Sequence, residues 1–177
     1  TYYPIGTVYT LMNDSNNPSN MFGGTWDLVK SQYVDTGWRK FSSENKDYIG
    51  TTQSPYTQNK WRVKDNILYI HIGVGSTTNI DTYEEITVAN IPIKGNTSFD
   101  SNDTRIWNSA VGGSGRIAGF GVMQLTDSIK VFLKPHTSNS FPVAKWYSTH
   151  FAIPLDETAM ITDGKTYDKE YVWKRIS

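Results

Sequence analysis

No stretch of this chain carries a convincing amphipathic helix. Its apolar residues fall in short runs broken by Gly, Pro, Asn, Asp and Ser, the pattern of strands joined by turns. The clearest unit is a hairpin: Lys60 to Lys64, an Asp65-Asn66 turn, then Ile67 to Val74. Asp-Asn fits a two-residue turn, although Asn stands where Gly is usual. In the second strand Leu68, Ile70, Ile72 and Val74 share one face, and Tyr69 and His71 share the other. Further strands are expected at Glu84 to Ala89, Arg105 to Val111, Ile117 to Leu125, Ser128 to Lys134 and Lys145 to Pro154. The Ser128 to Lys134 run sets Ile129, Val131 and Leu133 against Lys130, Phe132 and Lys134. Phe132 is the apolar exception on a wet face, expected to meet a neighbouring strand or subunit. The expected fold class is all-β, with short antiparallel strands forming a sandwich or barrel.

Composition narrows what such a fold can do. The 177 residues suffice for one large or two small domains, and the chain begins with Thr, which reads as a piece of something longer. Cysteine is absent, so disulfides and thiolate metal sites are excluded. Lys+Arg and Asp+Glu number 17 each, a balance that argues against a general binder of nucleic acid or anionic membrane. No apolar run reaches membrane-spanning length, and no signal peptide is visible. Aromatics are plentiful, with 11 Tyr and 6 Trp. They suit strands, and they also suit surfaces that stack on sugars.

The two ends carry the most distinctive residues. The chain opens Tyr3-Pro4-Ile5-Gly6-Thr7-Val8-Tyr9, passes through an Asn/Ser/Pro stretch, and reaches Met21-Phe22-Gly23-Gly24-Thr25-Trp26. Pro4 and Gly6 turn the chain into a short strand, Asn13 to Asn20 is loop chemistry, and Gly23-Gly24 lets Trp26 fold back. Tyr9, Phe22 and Trp26 then make a small core. The chain closes with Tyr171-Val172-Trp173-Lys174-Arg175. These segments resemble a module of bacteriophage tail-fibre and receptor-binding proteins, "YPxGSxY…NPxxxFGGTW" closed by "YxWKR". More than a hundred residues separate them, so the resemblance implies a small β-rich shoulder, residues 1–32 plus 158–177, with a β-sandwich head, residues 33–157, inserted into it. Asp35-Thr36-Gly37-Trp38, Trp61-Arg62-Val63, Leu68-Tyr69-Ile70 and Phe151-Ala152-Ile153-Pro154-Leu155 are similar to head-type sandwich modules of phage baseplate and adhesion proteins. Trp61 stands in place of the usual Tyr, and Ala152-Ile153 depart from the usual closing "YPL".

Motifs of catalysis are missing. Gly113-Ser114-Gly115-Arg116-Ile117-Ala118 matches G-x-G-x-x-A, but strand-like residues follow where a dinucleotide site needs a helix, so a hairpin turn is the better reading. His71, His136 and His150 show no metal-ligand spacing. Glu84 and Glu85 are strand neighbours on opposite faces, unable to work as a facing acid/base pair. No enzyme activity, cofactor or metal is expected. The candidate binding residues are Asp103, Arg105, Trp107, Arg116, Trp146, Tyr147 and His150. Asp and Arg give directional bonds to sugar hydroxyls and exposed Trp gives a stacking face; the competing reading makes Trp107 and Trp146 core residues.

The resemblance implies a non-catalytic receptor-binding protein of the distal phage tail or baseplate. Its implied partners are host cell-surface polysaccharide, such as wall teichoic acid or another wall glycopolymer, two further copies in a homotrimer, and other baseplate proteins. The alternatives are a structural baseplate or fibre-tip module without ligand, and a polysaccharide depolymerase.

Overall fold

The computed structural model describes residues 2–45, 59–75, 85–96, 106–111, 117–135 and 146–177; for 106–111, 117, 118, 135 and 146 it describes the backbone only. The elements are, in order, β1 (Val8–Met12), α1 (Ser19–Phe22), β2 (Trp26–Tyr33), β3 (Ser43–Glu44), β4 (Lys60–Lys64), β5 (Ile67–Gly75), β6 (Ile86–Ile91) and β7 (Ile93–Lys94). There follow β8 (Ile106–Val111), β9 (Ile117–Gln124), β10 (Ile129–Pro135), β11 (Trp146–Pro154), β12 (Met160–Ile161) and β13 (Lys169–Arg175). The fold is all-β, with α1 a single turn inside the Asn/Ser/Pro stretch. Around that turn Asp14 and Asn17 accept backbone N–H groups two residues on, the local bonding that such residues favour.

The ends of the chain meet in one antiparallel sheet ordered β1-β13-β2, with Tyr9 opposite Trp173 and Trp26 opposite Arg175. Tyr3, Tyr9, Phe22 and Trp26 pack together, largely edge to face, with Phe22 centroid distances of 4.8 Å to Tyr3 and 5.2 Å to Tyr9. Such geometry aligns ring edges with ring faces and adds to the burial energy. The Trp26 indole N–H donates to the Gly23 carbonyl at 2.9 Å. Gly24 is required there: its φ is 74°, and a Cβ would sit 2.6 Å from Arg175 Nε.

Between the ends, a five-stranded sheet, β3-β6-β10-β9-β8, faces a three-stranded sheet, β11-β5-β4. Their inner faces form the main core, Trp61, Leu68, Ile70, Ile72, Phe151 and Ile153 from one side and Ile91, Phe120, Val122, Ile129, Val131 and Leu133 from the other. Each such side chain contributes about 1.5–3 kcal/mol by leaving water. The alternation expected for Leu68 to Val74 is the one observed, and Ile129, Val131 and Leu133 face inward as expected, whereas Phe132 between them does not follow it. The β4–β5 turn also follows expectation, with φ of 50° at Asp65 and 58° at Asn66, the left-handed pair of a type I′ turn. Asn66 then ties three elements together: its Oδ1 accepts the Tyr33 N–H at 2.9 Å, and its Nδ2 donates to the Leu155 carbonyl at 3.1 Å.

Phe132 departs from its expected wet face and is fully buried. It stands opposite Gly121, where a Cβ would lie only 2.2 Å from the Phe132 ring, so the missing side chain on β9 makes room for the aromatic on β10. Lys130 caps the ring at 5.3 Å and bonds Glu85 at 3.1 Å. Phe132 is therefore covered within its own chain and offers no subunit contact. The G-x-G-x-x-A loop lies outside the described residues up to Arg116; the strands on either side pair antiparallel, with Val111 opposite Ile117.

Candidate functional site

A concave, aromatic-rich surface forms where the segment after β2 runs beside the segment before β13. The Asp35-Thr36-Gly37-Trp38 run makes a polar turn: Asp35 Oδ1 accepts the Gly37 N–H at 2.8 Å, and Gly37 has a φ of 65°. Asp35 also receives Arg62 Nε at 2.8 Å and Nη2 at 2.5 Å, a fork-to-fork pair. The Arg62 hydrogen bond first, and the Gly37 N–H second, hold the Asp35 carboxyl well below the usual range. Past the turn, Arg39 and Trp61 exchange both backbone hydrogen bonds at 2.7 and 2.9 Å. Trp61 is buried, its indole N–H satisfied by the Lys40 carbonyl, whereas Trp38 is turned outward and is 39% exposed.

Trp38 lies over the outer face of β11-β5-β4. His71 is 4.6 Å from its ring, Lys60 Nζ 4.7 Å and the Arg62 guanidinium 5.9 Å. Lys60, His71 and His150 stand directly across from one another on β4, β5 and β11, and the two imidazoles are 5.5 Å apart. Burial, then the neighbouring His150 and Lys60, push His71 below its ordinary value.

Trp38, Arg39, Trp61, Asp163 and Lys165 line a cleft of ≈ 360 Å³. A second cleft, of ≈ 390 Å³, is lined by Asn13, Tyr33, Thr166, Tyr167, Lys169 and Tyr171, and Lys165 is a wall of both. Tyr167 links them. Its hydroxyl donates to Asp163 at 2.5 Å, and the Arg39 guanidinium lies 5.2 Å from its ring. Burial, then the Asp163 bond, push the Tyr167 phenol up to about 12. Tyr33 holds the far wall, its hydroxyl accepting the Ile161 N–H at 2.9 Å.

The expected site residues fall differently. Asp103, Arg105 and Arg116 lie outside the described residues. Trp107 is opposite Gly121 on β8 and Trp146 opposite Gly75 on β11, so their backbones belong to different sheets. Tyr147 is corrected: it is 2% exposed and belongs to the core. The reason is parity, since it shares a strand face with the buried Phe151 and Ile153. His150 is exposed, and its neighbour is His71. The cleft residues Lys165, Tyr167 and Lys169 carry no local signal in the sequence, and Trp38 and Tyr171 belong there only to motifs.

Chemically the surface offers rings, hydroxyls and cations. Among the described residues no group of three or more His, Cys, Asp or Glu is placed to hold a metal, and no helix is long and apolar enough to cross a membrane.

The family model for baseplate structural protein Gp10, C-terminal domain, matches residues 1–176. The chain belongs to this baseplate family. It is thus a structural domain of the bacteriophage tail, with its place in the virion baseplate and other baseplate proteins as its assembly partners. The Gp10 match runs unbroken through both end segments and everything between them. The chain has no significant match among curated proteins or among solved structures.

Proposed function

We propose that this Gp10-type domain attaches the virion to polysaccharide on the host cell surface, by binding and without catalysis. The observation that carries this reading is the pair of adjoining clefts with Lys165 as their common wall, one bearing the exposed Trp38 and the other walled by Tyr33, Tyr167 and Tyr171. Rings placed beside a few convergent polar groups are what a saccharide site requires. Residues 33–157 act as a head carried on a shoulder of residues 1–32 and 158–177, and the clefts draw on both. Three copies act together, because single sugar sites are weak and linked sites raise effective concentration.

Co-sedimentation of the chain with purified host cell walls tests this. Binding that is weakened by Trp38→Ala, with no release of reducing ends on long incubation, is the expected result. Absence of binding would leave only the structural role in the baseplate, and steady polymer shortening would establish a depolymerase. Trp107→Ala in the same assay tests the site expected around Asp103, Arg105 and Trp107: weakened binding supports it, and unchanged binding by a well-folded variant rejects it.

A further inference from the structure

We infer that the Lys169 end of the second cleft recognises a negative charge on its ligand, a phosphate or carboxylate borne on a saccharide repeat. The inference rests on the attachment reading and adds the ligand's charge to it. Lys169 opens β13, and its backbone is pinned from both sides. The Asn13 N–H donates to its carbonyl at 2.7 Å, and its own N–H donates to Asn13 Oδ1 at 2.7 Å. From that fixed point the half-buried side chain lines the cleft, with Nζ 4.8 Å from the Tyr33 ring and 5.7 Å from the Tyr171 ring.

Among the described residues this ammonium has no carboxylate in ion-pair range. Of the acids near it in sequence, Asp168 accepts Asn13 Nδ2 at 3.0 Å, Asp163 accepts the Tyr167 hydroxyl and the Lys165 N–H, and Glu170, its neighbour on β13, belongs to the opposite face of the strand. A partly desolvated cation without a counter-charge is unfavourable, and the two ring faces offset only part of that cost. Its amine is correspondingly held below the ordinary lysine value by burial. An anion arriving in the cleft would complete the arrangement. Lys165 brings a second positive charge to the rim. A small inorganic anion has no use for three tyrosine walls, and a neutral sugar accepts hydrogen bonds from the ammonium but leaves its charge uncompensated. A charged saccharide uses both.

The test is calorimetric titration of the 177-residue chain with four probes: glucosylated poly(glycerol phosphate), polygalacturonate, dextran and poly-glutamate. The phosphate and carboxylate polymers separate the two sources of charge. The expected result is binding of at least one charged saccharide polymer that weakens as salt is raised. Lys169→Met should reduce it by about tenfold or more, the effect of one lost charge-assisted hydrogen bond. Lys169→Arg should keep most of it, and Lys165→Met, at an exposed position, should give a smaller loss in a chain that folds normally. A folded Lys169→Met chain with wild-type affinity, or equal affinity for dextran with no salt effect, would overturn the inference and leave attachment standing. If Lys169→Met does not fold, wild-type affinity in Lys165→Met together with no salt effect would overturn it. Tighter binding of poly-glutamate than of either polysaccharide would overturn it in favour of an acidic protein partner. Failure to bind both polymers and host walls would overturn the inference and the attachment reading together.

Discussion

Tyr167 shows at the scale of one residue how the groove is held. Its phenol sits at about 12 in the fold, against about 10 in an unfolded chain. A folded-state value raised in this way stabilises the fold fully below pH of about 10, and the stabilisation fades as pH climbs through the window to about 12. Tyr167→Phe should therefore lose less stability than the native chain across that window, measured by denaturant unfolding at several alkaline pH values. Equal slopes for the two proteins would show that the fold does not raise the Tyr167 phenol. The two tryptophans of the Trp38 region make a second contrast. Trp61 is 1% exposed and Trp38 39%, so Trp61→Ala should cost about 3–5 kcal/mol. Trp38→Ala should cost less, about 1–2 kcal/mol, because its ring contacts with His71, Lys60 and Arg62 lie at the surface. Thermal melts of both variants would check the difference, and a large loss in Trp38→Ala would make it a packing residue. Single residues were legible where alternation alone decided them: Leu68, Ile70, Ile72 and Val74 all face inward. Tyr147 follows the same parity, which places it with the buried Phe151 and Ile153 rather than at a binding surface.

At the scale of elements, the β4–β5 hairpin could be read directly because its turn and both strand patterns are local. Phe132 could not, because its environment comes from Gly121, which register places opposite it on another strand. That pairing yields a prediction. Gly121→Ala should destabilise the protein by about 1–3 kcal/mol through overpacking. Adding Phe132→Leu should recover part of the loss, so the double variant is less destabilised than the two single effects combined. Strict additivity in urea unfolding would mean that the two side chains do not compete for the same space. The joining of the ends was legible only through the family resemblance of the two segments, and the bulge between Val172 and Trp173 was not legible. The clefts were least legible of all. Their walls come mostly from residues 33–42 and 160–171, with Asn13, Trp61 and Pro92, which meet because β13 pairs β2 and the Arg39–Trp61 bridge fixes the segment between β2 and β3. No local pattern encodes a surface assembled that way.

For the whole molecule, the Gp10 match gives the baseplate as the setting, and the proposed attachment adds three copies acting on one polymer. Attachment by weak sites in such a setting has a distinct consequence. If three linked copies bind one polymer, the second and third contacts are intramolecular, and avidity can exceed the single-site affinity by about 10²–10⁴-fold. Affinity should then rise steeply with polymer length until one chain can span neighbouring clefts, and level off beyond it. A single repeat unit should bind with the weak affinity of one site regardless of protein assembly. Light scattering gives the mass of the particle, and titration with size-fractionated wall polysaccharide gives the length dependence. A trimer mass with a steep length dependence is the expected result. A monomer mass at micromolar concentration would count decisively against the trimer, and an affinity indifferent to length would reject linked binding.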